Sequence, residues 1–114
     1  MTYTYAQFKS GPPRRIMVAL GKSCLDALDT MDSYASFREA IIALNCAEQG
    51  YFTNAARRYA SICSSGELEL LKGILLLTDF AHVADEISKG EAYTNMIRCS
   101  GPIRDALAAC VVNA

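Results

Sequence analysis

Apolar residues recur at helical spacing along most of the chain. Met17, Leu20, Cys24, Ala27 and Met31 lie on one stripe, widened by Ile16 and Leu28, and predict a helix over 13–29. Asp26, Asp29 and Asp32 gather towards its end, where the helix dipole disfavours acids, and help it stop there. A second helix runs from Asp32-Ser33 to Gln49, with Phe37, Ile41, Leu44 and Ala47 on one face and Gly50 as terminator. Ser36 and Glu39 have the S-x-x-E spacing of a capping box, so its start can slip to Ser36. Thr53 can cap a third helix over 54–63, which carries Ala55, Ala56, Tyr59 and Ile62 inward and Arg57 and Arg58 outward. Ser64 and Glu67 supply another S-x-x-E start.

The fourth expected helix, over 66–89, is the longest. Leu68, Leu71, Leu75, Thr78 and His82 follow one row, and Leu70, Ile74, Leu77, Ala81 and Ala84 another. Residues 74–77 are apolar nearly all round, which argues a central, buried helix. A glycine inside such a helix costs about 1 kcal/mol against Ala, so Gly73 marks a close crossing. A fifth helix is expected over 91–99 and a sixth over 102–112. Residues 1–12 are ambiguous: Thr2 to Phe8 alternates small polar and aromatic residues and suits a short strand, a short helix or an ordered tail. Five or six helices joined by short connections imply antiparallel neighbours. The expectation is an all-α fold, a compact bundle around the central helix, forming one helical domain over 1–114.

Composition supports this and removes several functions. The chain has 114 residues, too few for two ordinary domains. At 52% hydrophobic and 20% charged it has the makings of a core rather than of disorder. A net charge of −1 gives no field for steering onto a phosphate backbone. The longest strongly apolar stretch, 73–78, is far short of the ~20 residues of a membrane span. No basic start followed by an apolar run marks a signal peptide.

Candidate chemistry is sparse. The five cysteines (Cys24, Cys46, Cys63, Cys99 and Cys110) form no C-x-x-C pair, so they read as reduced, small apolar side chains in a cytoplasmic protein. His82 is the sole histidine; with Asp79 and Glu86 it would lie on one helix face, but a di-metal bundle needs matching motifs elsewhere. No nucleophile elbow and no phosphate-cradling glycine loop occurs. No catalytic residue, cofactor or metal site is expected. Gly50-Tyr51-Phe52-Thr53-Asn54-Ala55-Ala56-Arg57-Arg58-Tyr59 resembles the turn and second helix of a tetratricopeptide repeat, with a glycine, an aromatic two residues on, then Ala and Tyr at helical spacing. The preceding helix lacks that family's Trp and Gly pattern and no second copy occurs; a short helical hairpin accounts for the stretch equally well.

The reading that remains is a non-enzymatic protein-binding module: an adaptor, a subunit or a stoichiometric inhibitor. Phage- and plasmid-type inhibitors of host complexes are its analogues in size and composition only. Two alternatives stay open. One is a nucleic-acid-associated helical regulator using Arg14, Arg15, Arg57 and Arg58. The other is a small enzyme using His82 with a cysteine or an aspartate. Tyr and Arg are enriched at the energetic centres of interfaces. The expected contact residues are therefore Tyr3, Tyr5, Phe8, Arg14, Arg15, Arg57 and Arg58, and a self-complementary version of that surface would give a two-fold homodimer.

Overall fold

The computed structural model describes residues 4–88 and 101–114. Tyr3, Cys99 and the helix expected over 91–99 lie outside the described residues. The fold is all-α: the described residues form eight helices and no strand. They are α1 (Tyr5–Ser10), α2 (Pro12–Leu20), α3 (Lys22–Thr30), α4 (Tyr34–Ala47), α5 (Tyr51–Ala60), α6 (Ser65–Leu77), α7 (Ala81–Ser88) and α8 (Gly101–Asn113).

The count exceeds five or six for three local reasons. The N-terminal segment is a helix, because Thr4 and Gln7 form a reciprocal capping box: Gln7 N donates to Thr4 Oγ1 (3.2 Å) and Thr4 N to Gln7 Oε1 (2.8 Å). The helix expected over 13–29 breaks at Gly21, whose φ of +137° is open to glycine and strained for other residues. A side chain there would also meet Tyr51, since a Cβ would lie 1.9 Å from its hydroxyl oxygen. The helix expected over 66–89 ends at Leu77, where Asp79 turns the chain left-handed (φ +70°). Thr78 Oγ1 donates back to the Ile74 carbonyl, and Phe80 N to the Leu75 carbonyl (2.7 Å), closing the helix. His82 therefore starts a new helix.

The other boundaries follow capping chemistry closely. Ser33, not Ser36, caps α4, its hydroxyl accepting from Ser36 N. Gly50 is left-handed (φ +87°) and donates to the Asn45 carbonyl, ending α4 and opening α5 directly. This moves the start of α5 ahead of Thr53, which is buried in the first turn with its N–H on Asn45 Oδ1. Ser64 and Glu67 form the expected capping box of α6.

The core is built around α6, which touches α2, α5, α7 and α8. Leu71, Ile74, Leu75 and Leu77 are fully buried, as the apolar run requires. Gly73 faces α8, where an added Cβ would sit 2.5 Å from Leu107 Cδ1 and 3.3 Å from Cys110 Cβ. Two ionic residues of this core helix are buried, Glu69 and Lys72, and they pair with each other, Lys72 Nζ donating to Glu69 Oε1 (2.9 Å). Arg38 joins the ends of two helices: Nε donates to the Leu77 carbonyl (2.7 Å) and Nη2 to the Asn113 carbonyl. A cation at these C-termini complements both helix dipoles.

Candidate contact surface and pocket

Of the expected aromatic patch, Tyr5 and Phe8 are drawn into the interior. Tyr5 and Phe8 are buried, packed with Tyr34 and Phe37 at ring distances of 5.2–6.0 Å. The Tyr5 hydroxyl donates to the Leu28 carbonyl (2.7 Å), and Lys9 Nζ reaches the Asp29 and Met31 carbonyls. Helix α1 thus closes the end of α3, and its aromatics cover the chain's own core rather than offering a face to a partner. Alternation of Tyr3, Tyr5 and Phe8 in sequence concealed this, because Tyr5 and Phe8 are three apart and share one side of a helical turn.

The two arginine doublets divide into paired and unpaired members. Arg14 makes an ion pair with Asp29, and Arg57 holds Glu86 through Nε at 2.6 Å and Nη2 at 3.3 Å. The Arg57 guanidinium beside it keeps the Glu86 carboxyl below its ordinary value. The exposed side chains of Arg15 and Arg58 make no hydrogen bond or ion pair among the described residues. Large apolar side chains stand next to both. Val18, three residues from Arg15 on α2, is 57% exposed, and Ile62, four residues beyond Arg58, is 80% exposed. Val112 is equally bare, but no unpaired arginine adjoins it in sequence.

Arg15 also lines a cavity of about 530 Å³ with Gly11, Pro12, Ile16, Glu67, Leu70 and Ile103. The cavity lies where the α1–α2 turn and α2 meet the starts of α6 and α8. On its α6 side, the Tyr59 hydroxyl donates to Glu67 Oε2 (2.7 Å), and Ser64 Oγ donates to Oε1 (2.8 Å). These donors, Tyr59 first, hold the Glu67 carboxyl below its usual range, while burial and the adjacent carboxylate push the Tyr59 phenol up. Glu67 was legible in sequence as a capping residue. Its second role was not, because Tyr59, Arg15 and Ile103 come to it from three other helices.

His82 is exposed, with the Phe80 ring 6.2 Å away, and Asp79 lies in the turn before its helix. Asp79 is thereby separated from that face, whereas His82 and Glu86 stay four apart on one helix, His82 adding to the lowering of the Glu86 carboxyl that Arg57 engages. Among the described residues no group of three His, Cys, Asp or Glu is placed to hold a metal. Cys24 and Cys110 are buried, and burial raises both thiols, Cys24 to about 11; Cys46 is exposed. No helix among the described residues is long and apolar enough to cross a membrane. Comparison with protein-family models, with curated proteins and with solved structures finds no match to this chain.

Proposed function

We propose that this protein acts by contact with another protein, through the arginine surface of α2 and the end of α5. The observation that supports this reading most is the pairing of unpartnered arginines with exposed apolar side chains, Arg15 with Val18 and Arg58 with Ile62. A lone exposed valine or isoleucine is ordinary on a protein surface. A guanidinium with unused donors beside it adds the composition of an interface centre: apolar area to bury, and five N–H groups to anchor it. Helices α2 and α5 touch, and Ile62 follows Arg58 in the turn just after α5. Arg14 and Arg57 contribute less, since each already has a carboxylate of its own chain. The proposed setting is cytoplasmic and the role is that of an adaptor, subunit or inhibitor.

Photo-crosslinking from the native cell tests the reading. Val18→benzoylphenylalanine and Ile62→benzoylphenylalanine should each trap the same protein, or a second copy of this chain, as a defined adduct. Glu39→benzoylphenylalanine, at an exposed position of α4, should trap neither. A nucleic-acid adduct at Val18 and Ile62, or equal adducts from all three positions, contradicts the proposal.

A further inference from the structure

The cavity between the α1–α2 turn, α2, α6 and α8 has an apolar floor and an oppositely charged mouth. Pro12, Ile16, Leu70 and Ile103 supply the apolar lining; Arg15 comes from α2 and Glu67 from α6. Its volume of about 530 Å³ is that of a small-molecule site. Arg15 is close enough to Glu67 to favour its ionised form, yet the two make no ion pair. Glu67 is instead held in place by Tyr59 and Ser64. Among the described residues only one donor reaches its Oε2, which leaves that oxygen a lone pair for a ligand. Two opposite charges thus face one apolar cavity without closing it.

The charge arrangement narrows the ligand. A simple anion would gain Arg15 and meet Glu67; a simple cation would gain Glu67 and meet Arg15; a neutral apolar molecule would use neither. A molecule carrying an ammonium and a carboxylate on one carbon, with an apolar side chain, satisfies both charges and the floor. We propose that this cavity binds a free aliphatic α-amino acid, its carboxylate on Arg15, its ammonium on Glu67 and its side chain against Ile16, Leu70 and Ile103. The site shares Arg15 with the proposed contact surface, but titration of the isolated protein with small probes tests it apart from partner capture.

The test is a titration of the ¹⁵N-labelled protein, followed by amide shifts, with three probes. L-leucine carries both charges, leucinamide lacks the carboxylate, and 4-methylpentanoate lacks the ammonium. Leucine should give saturable shifts centred on Gly11, Arg15, Ile16, Glu67, Leu70 and Ile103. Each analogue should bind at least about tenfold more weakly, the loss of one charge-assisted contact. Arg15→Gln should erase the preference for leucine over leucinamide but keep that over 4-methylpentanoate, and Glu67→Gln should do the reverse. Arg14→Gln, next in sequence to Arg15 but outside the lining and paired with Asp29, should bind as wild type does. Absence of a saturable shift with leucine overturns the proposal. So does an equal response to all three probes, or an unchanged leucine preference in Arg15→Gln.

Discussion

Tyr5 shows how a residue that sequence places at a surface can belong to the core. Its ring is buried against Phe8, Tyr34 and Phe37, and its hydroxyl satisfies the Leu28 carbonyl near the end of α3. Tyr5→Phe keeps the ring and orphans that buried carbonyl. It should cost about 1–3 kcal/mol in a denaturant titration, the penalty for an unsatisfied buried acceptor, without altering partner capture. A variant as stable as wild type would place the hydroxyl in solvent. Glu67 makes a pH-dependent contribution. Its folded carboxyl lies below the unfolded value of roughly 4.3, so its stabilisation is present above that value and is lost as pH falls through the folded one. The denaturation midpoint of Glu67→Gln should therefore lie below wild type at neutral pH, and the two should converge in acid. Midpoints separated equally at both pH values would contradict the Tyr59 and Ser64 bonds.

At the scale of elements, α6 and α8 cross closely at Gly73. Glycine to alanine inside a helix ordinarily gains about 1 kcal/mol. Here the new methyl meets Leu107 Cδ1 at 2.5 Å and Cys110 Cβ at 3.3 Å, and Leu107 is itself buried. Leu107 can rotate only within a filled core, and Cys110 Cβ is fixed to its backbone, so the clash outweighs the propensity gain. Gly73→Ala should lower stability by about 1–3 kcal/mol, the cost of overpacking. Leu107→Ala in that background should cost less than it does alone, the signature of coupled neighbours in a double-mutant cycle. The close crossing was readable in sequence, because nothing else explains a glycine within Leu71 to Leu77. The breaks at Gly21 and Asp79 were not. Apolar spacing continues through both, and what ends each helix is a backbone angle favoured by distant packing: Tyr51 over Gly21, and Phe80 against Phe52 at 5.6 Å.

The whole molecule is a chain of short helices closed around the apolar α6, with a radius of gyration of 12.6 Å against about 13 Å for a compact chain of this size. That closure can be read by thiol labelling. Cys46 should react with iodoacetamide in the native protein, whereas Cys24 and Cys110 should react only after unfolding, because they are buried and burial raises both thiols. Native-state labelling of Cys24 at the rate of Cys46 would show the core open. Helicity, the apolar run of the central helix and the boundaries at Ser33, Gly50 and Ser64 were legible because they depend on residues within a few positions of each other. The candidate surface was legible only as a list of arginines. Which of them are free depends on Asp29 and Glu86, fifteen and twenty-nine residues away from their partners.

That division of the arginines carries the account, and one comparison of variants tests it. Arg15→Ala with Arg58→Ala removes the unpaired members of the two doublets; Arg14→Ala with Arg57→Ala removes two exposed ion pairs, which contribute little to stability. Both variants should remain helical. Capture of the partner trapped from Val18, or dimer mass if that partner is a second copy, should fall at least about tenfold in the first variant, equal to roughly 1.4 kcal/mol, and stay within about threefold of wild type in the second. Equal losses in the two variants, or a loss confined to the second, would contradict the assignment of the contact surface to Arg15 and Arg58.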